Sequence, residues 1–528
     1  MTKNLVKKVI CFAVMAVVMI ALIIGDVFAW RYSLLVDGIL GINDTDFSNA
    51  SAELQAGDKL VVELEEDSIT LFKNENKTLP LADSVNKLNV FGYGSYAGFL
   101  QRGIGSGSST ISKQKSINLQ QALTGYVRDF DIEDELKDNP NISDADKNVL
   151  KAQWGAEHLV AAFELNPTIT KLYATTDVST GSGSYTISEK SDSALTDTVL
   201  SEAYNYSHYA LFTVSRTGGE NIGEIPDTYN ELTTTERAIL TKLKTAGFTV
   251  IVLINTANTM HLGWLDDLNI DACINVGLTG QSGARAIPEI LRGKKFVEEE
   301  VDGEDGTVKT EIKETMFSPS GRFTDIVTKS NAVVKNFDPT YANRAPSGGG
   351  ITYAEGIYYG YKWYETADIE GFYNKNSGAV FDYDEVVQYP FGYGLSYTTF
   401  EKKITGVTYG ENNTKLNKDE DISKLPVSTQ VNVTVEVKNT GDYAGSETVQ
   451  LYYTPEYKNT IEKAHVNLLD FGKTGILQPK ATEVVTVSFT LYDLASYDCY
   501  DQDDNNFWGY ELENGKYTLK LMDNSHTI

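Results

Sequence analysis

The 528-residue sequence predicts a chain of mixed class: an α/β domain on a mostly parallel sheet, then an antiparallel β-sandwich, with an N-terminal membrane helix ahead of both. Three observations carry this expectation. Between residues 209 and 291, apolar runs of strand length alternate with amphipathic helical stretches, the pattern of βα units on a parallel sheet. From Ile404 onward the apolar residues recur with period two and the helical pattern stops. Near the start, an unbroken apolar run from Val9 to Ile24 follows Lys3, Lys7 and Lys8.

That run reads as a secretory signal or a signal anchor. The residues before Trp30 make a poor cleavage site, since Phe28 is bulky, and this favours an anchor through residues 9–25. Lysines before the run place the N-terminus in the cytoplasm and the bulk of the chain outside. A cleaved leader instead makes the protein secreted. Residues 30–65 form a polar-apolar connection.

The α/β domain is expected over residues 66–345. Leu88 to Phe91 reads as a short buried strand running into Gly92-Tyr93-Gly94 and then Arg102-Gly103-Ile104-Gly105-Ser106-Gly107-Ser108. Such a glycine loop can cradle phosphate through backbone N–H groups. It lacks the Gly-Lys-Ser/Thr ending of a P-loop and the spacing of a dinucleotide fingerprint. The strand Tyr209 to Val214 ends at Ser215 and Arg216, followed by Gly218-Gly219 and Glu220. Strand, glycine loop, then carboxylate is how an open α/β sheet offers a functional group beyond its strand ends. Taken in isolation, Glu220 also reads as an ordinary solvated loop acid.

Downstream, Thr233 and Glu236 form a capping box, and Ile239, Leu240, Leu243 and Ala246 give one apolar helix face closed by Gly247. Phe248 to Ile254 and Ala272 to Val276 are strands, and Ala284 to Leu291 is a helix. Residues 294–315 are an acidic insertion with the look of a surface hairpin. Residues 346–402 read as a linker, and 403–528 as the sandwich, with strands at Val431–Val437, Val449–Tyr453, Val484–Leu491 and Gly515–Leu521.

Composition bounds the partners. A formal net charge of −28 argues against nucleic acid and anionic lipid. The 31 tyrosines suit sheet surfaces and sugar-facing surfaces alike. Three cysteines and five scattered histidines build no disulfide framework and no metal cluster, so neither metal nor cofactor is expected.

Several motifs, in order, resemble glycoside hydrolase family 3, the β-glucosidase and β-xylosidase family. Leu71-Phe72-Lys73-Asn74-Glu75 with Leu79-Pro80-Leu81 is similar to the opening of that family's α/β sandwich domain. Ser215-Arg216-Thr217-Gly218-Gly219-Glu220 resembles its Ser-Arg-x-Ser-Gly-Glu loop, and Ser318-Pro319-Ser320-Gly321-Arg322 its Asn-Pro-Ser-Gly-Arg. Glu355-Gly356-Ile357-Tyr358-Tyr359-Gly360-Tyr361 and Tyr389-Pro390-Phe391-Gly392-Tyr393-Gly394-Leu395-Ser396-Tyr397 complete the set, and the sandwich resembles the family's fibronectin type III-like domain.

The resemblance implies a β-linked oligosaccharide or glycoside as substrate, Glu220 as general acid/base, and Ser106 and Arg216 beside the sugar. The residues after Glu220 depart from the family's Gly-x-Asp, reading Asn221-Ile222-Gly223, which leaves Glu224 as a competing candidate. A retaining glycosidase of this family takes its nucleophile, an aspartate in a Ser-Asp-Trp setting, from a (β/α)8 barrel. No Ser-Asp-Trp occurs here, and the roughly 35 residues before the α/β domain are far fewer than the ~250 of a barrel. The expectation is the front half of a permuted enzyme, truncated or completed by a separate barrel chain. The alternative is a non-catalytic, membrane-anchored carbohydrate-binding or scaffold protein.

Overall fold

The computed structural model describes residues 51–103, 115–138, 141–174, 189–216, 229–302, 308–337, 355–375, 377–458 and 460–528. The chain divides into two units, Met1–Gly57 and Asp58–Ile528. Apart from the start of a helix that crosses the boundary, the architecture below belongs to the second. The apolar run Val9–Ile24 lies outside the described residues; among those described, no helix is long and apolar enough to cross a membrane.

A six-stranded sheet organises the first half. Its strands are β1 (Thr70–Asn74), β2 (Lys87–Phe91), β3 (Glu164–Leu165), β4 (Tyr209–Arg216), β5 (Thr249–Thr256) and β6 (Ala272–Asn275), in the order β1-β6-β5-β4-β2-β3. All neighbours run parallel except β1, which pairs antiparallel with β6 at the edge. Every position of β4 and β5 after the first is buried, as the continuous apolar runs require of strands covered on both faces. After β2 the chain steps to β3 on one side, then returns to β4, β5 and β6 on the other, so the strand order reverses between β2 and β4. Open α/β sheets bind ligands at such a reversal, outside the strands' carboxyl ends.

The helix between β4 and β5 spans Thr234–Thr245, and both bonds of the Thr233–Glu236 capping box are present. Gly247 takes φ +89°, a value L side chains rarely adopt, and turns the chain into β5. The acidic insertion is an antiparallel hairpin of β7 (Lys294–Asp302) and β8 (Val308–Met316), in register from Lys294↔Met316 to Asp302↔Val308.

The sandwich is formed by two antiparallel sheets, one built on Phe400–Tyr409, Gln430–Asn439 and Thr482–Thr490, the other on Thr448–Pro455, Asn467–Lys473 and Tyr517–Met522, and a two-stranded ribbon, Ser496–Asp498 with Gly509–Glu511, accompanies them. Val431, Val433, Val435 and Val437 point into their shared core while the residues between them do not. This is the alternation expected of a sheet with one wet face.

Two segments differ from the sequence expectation. The connection 30–65 ends in a helix, Ser51–Ser68. The described part of 346–402 is packed rather than a free linker. Tyr389 stacks on Phe72 of β1 at 4.9 Å, Leu395 bridges to Leu71, and Tyr361, Tyr364, Phe381 and Tyr383 cluster with Tyr452, Val466 and Met522 of the sandwich. The motif residues are the joint. Gly392 N–H donates to the Phe323 carbonyl (2.8 Å) and Phe323 N–H to the Tyr393 carbonyl (2.9 Å). A Cβ on Gly321 would lie 2.3 Å from the Ser68 carbonyl oxygen, so no other residue fits there. Arg322 then pairs with Glu447 of the sandwich at 2.5 Å.

Candidate active site at the reversal of strand order

The segments that follow β2 and β6 meet the ends of β4 and β5 at the carboxyl edge of the sheet. Gly94, just past β2, crosses the end of β4 so closely that a Cβ would lie 2.5 Å from Ser215 Oγ and 2.6 Å from the Thr213 carbonyl oxygen. Ser95 Oγ sits 2.7 Å from both the Phe91 carbonyl and the Thr213 hydroxyl, tying the β2 loop to β4. Asn255 at the end of β5 is fully buried and joins four segments. Its Oδ1 accepts from Leu100 N–H (2.6 Å) and Ser215 Oγ–H (3.2 Å), and its Nδ2 donates to the carbonyls of Leu100 (2.8 Å) and Gly277 (2.6 Å). With every donor and acceptor matched, this network fixes the edge rigidly.

Arg216 closes β4. Its Nη1 and Nη2 donate to Oε1 and Oε2 of Glu236, both at 2.8 Å. The remaining N–H groups reach the carbonyls of Ser215 (2.9 Å), Tyr229 (2.9 Å) and Glu231 (2.7 Å). A guanidinium has five N–H donors, and all are engaged within the protein. Arg216 was expected beside the sugar; buried and fully engaged, it ties Ser215 to Tyr229 and Glu231, the described residues that flank 217–228. Glu220, Glu224 and Ser106 lie outside the described residues.

One carboxylate at this edge was missed by sequence reasoning. Glu189 Oε2 accepts from the backbone N–H of Tyr93 (2.6 Å) and Oε1 from that of Lys190 (2.8 Å). Burial pushes its pKa up to about 7, with the two backbone donors pulling the other way and the Glu236 charge adding to the rise. No motif surrounds it, so only its spatial neighbour Tyr93 reveals it. An acid cluster, also unanticipated, lies in the sandwich. Carboxylate oxygens of Asp498, Asp503 and Glu511 come within 4.8 Å of one another, although both oxygens of Asp498 already accept from the backbone N–H groups of Tyr500 (3.0 Å) and Gln502 (2.7 Å).

The fold agrees with two family descriptions. Residues 69–361 match the glycosyl hydrolase family 3 C-terminal domain, over half of the chain. The chain belongs to glycosyl hydrolase family 3. Residues 447–525 match a fibronectin type III-like domain. Family 3 relatives include a β-glucosidase of Ruminococcus albus, 29% identical over 62% of this chain and 28% of that protein. β-Glucosidase A of Butyrivibrio fibrisolvens is 25% identical over 86% of this chain and 48% of that protein. Among solved structures, a β-glucosidase from Paenibacillus barengoltzii superposes with a TM-score of 0.62 at 26% identity, covering 89% of this chain and 42% of that one. β-Glucosidase 3B of Thermotoga neapolitana shares the fold at 21% identity and a TM-score of 0.59. The chain spans half or less of the length of the curated relatives it matches.

Proposed function

We propose that this chain is the acid/base-bearing part of a retaining β-glucosidase-type hydrolase, with Glu220 as the general acid/base. The observation that carries the reading is the Arg216 clamp. It anchors both ends of the segment holding Glu220 at the reversal of strand order, where an α/β sheet offers its ligand site. The curated relatives named as β-glucosidases support the substrate class, a terminal β-glycoside.

The chemistry requires two carboxylates about 5 to 5.5 Å apart. One attacks the anomeric carbon to form a glycosyl-enzyme while the other protonates the departing oxygen. The second then takes a proton from the water that releases the sugar. In this reading Glu220 is the proton carrier, and a (β/α)8 barrel, carried on the same or a separate polypeptide, brings the nucleophile. The active rim of such a barrel is the C-terminal end of its strands. Contact between that rim and this sheet edge shields the acid from water, which favours the protonated form.

The test supplies a family 3 barrel, fused after Ile528 or added in trans, and compares substrates by leaving group. The chain alone should not turn over aryl β-glucosides. With the barrel, Glu220→Ala should slow unactivated disaccharides by roughly 10²- to 10⁴-fold while sparing dinitrophenyl glycosides, which azide should rescue further. Equal loss on both substrates without azide rescue, or the same pattern from Glu224→Ala instead, assigns the role elsewhere.

The apolar run Val9–Ile24 behind three lysines motivates an anchored, extracytoplasmic placement. An alkaline carbonate wash should leave the protein in the membrane fraction. Full release with a mature N-terminus at Trp30 shows a cleaved signal and a secreted protein.

A further inference from the structure

We propose that the short ribbon of Ser496–Asp498 and Gly509–Glu511 in the sandwich domain is a binding platform for a neutral β-linked glucan chain, separate from the crevice at the sheet edge. Tyr497 and Tyr510 face each other across the ribbon, so their rings share one face. Their centroids are 5.1 Å apart with an interplanar angle of 76°, and Tyr492 joins them at 6.2 Å from Tyr510. All three are open to solvent, at 50% for Tyr492, 40% for Tyr497 and 58% for Tyr510. The connecting loop carries two further exposed aromatics, Tyr500 at 67% and Trp508 at 59%. A soluble domain rarely leaves large apolar side chains together in water unless something covers them.

The chemistry of the patch selects its occupant. Tyrosine and tryptophan present an apolar ring face and a polar edge. A pyranose ring offers the complement, a C–H face bordered by hydroxyls. Asp501, Asp503 and Asp504 lie on the same loop, where carboxylates accept hydroxyl hydrogens. The same acids, on a chain of net charge −28, repel phosphate-, sulfate- and uronate-bearing polymers. They also argue against a protein partner, because the centre of a protein–protein interface is depleted of acidic residues.

The loop is held in shape by its own hydrogen bonds. Asp498, buried on the opposite face of the ribbon, accepts from Tyr500 and Gln502 N–H, Asp501 Oδ1 accepts from Asn506 N–H (2.9 Å), and Asn505 Nδ2 donates to Asp503 (3.0 Å) and Glu511 (2.6 Å). A platform ordered in advance loses little entropy on binding. The choice of a β-glucan rests on the β-glucosidase reading; the aromatic platform does not.

Affinity electrophoresis of the full chain through gels containing soluble mixed-linkage β-glucan tests the proposal without any turnover, so a failed acid/base assignment leaves the result intact. Wild type should be retarded. The double variant Tyr500→Ser/Trp508→Ser changes only exposed side chains and should bind at least about tenfold more weakly, the order expected for losing stacked rings. Tyr497→Ser/Tyr510→Ser should behave likewise, and where it fails to fold the first pair decides alone. No retardation of wild type, unchanged retardation of a Tyr500→Ser/Trp508→Ser protein with a native melting curve, or stronger retention by polygalacturonate would each overturn the proposal.

Discussion

Arg216 and Glu236 form a bidentate pair in the interior, Nη1 to Oε1 and Nη2 to Oε2, each 2.8 Å long. Glu236 also accepts from Thr233 N–H (2.8 Å), so one carboxylate caps the helix Thr234–Thr245 and neutralises the arginine that ends β4. The pair therefore couples the start of a helix to both ends of the loop that carries Glu220. Planar fork-to-fork geometry holds direction as well as charge, which a lysine cannot reproduce.

Breaking this pair on one side strands a buried charge. Arg216→Met or Glu236→Leu alone should cost about 3 kcal/mol or more in urea unfolding, whereas the double variant should lose much less than the sum. Additive losses in the double-mutant cycle mean that the two residues are not coupled.

Gly94 is required by contact rather than by conformation. A methyl there meets Ser215 Oγ at 2.5 Å and the Thr213 carbonyl oxygen at 2.6 Å. Backbone cannot give way as a side chain can, so Gly94→Ala should destabilise by roughly 1–3 kcal/mol. Gly406→Ala is the control, because no heavy atom lies within 4 Å of a Cβ there. Thermal melts in which the two variants behave alike contradict the contact argument.

Glu189 should make stability depend on pH. Its folded pKa is raised from 4.5 to about 7, so the folded state holds a proton that the unfolded chain has released. Its contribution is fully present below pH 4.5 and is lost as pH rises through about 7. Glu189→Gln keeps the neutral shape and cannot ionise. The difference in unfolding free energy between wild type and Glu189→Gln should therefore shift against wild type across that window and level off above it. A difference curve flat with pH removes Glu189 as the titrating group.

The local elements were legible because their causes are local. β4 and β5 announce themselves as unbroken apolar runs, which only strands buried on both faces need. The Thr233–Glu236 box and Gly247 mark the helix between them with bonds that reach three residues or turn one. The alternation from Val431 to Val437 states its own period and face. The family motifs could be read for the same reason, as short contiguous patterns, and one of them put Glu220 forward as a candidate.

What lies across the chain was not legible. The resemblance implied Arg216 beside the sugar; that all five of its donors are engaged within the protein depends on Tyr229, Glu231 and Glu236 returning to it from farther along the chain. The stretch 389–397 read as part of a linker, yet Tyr389 and Leu395 close over β1 more than 300 residues earlier in the chain. Glu189 carries no pattern and gains its character only from burial and from Tyr93 N–H, 96 residues away. By itself the sequence determined the buried strands β4 and β5, the helix between them, the apolar face of Val431–Val437 and the family these segments compose, since periodicity and short motifs act over a few residues. The tertiary structure alone decided which polar groups are satisfied, which carboxylates are desolvated and which loops share an edge, because those depend on partners that only folding brings within hydrogen-bonding distance.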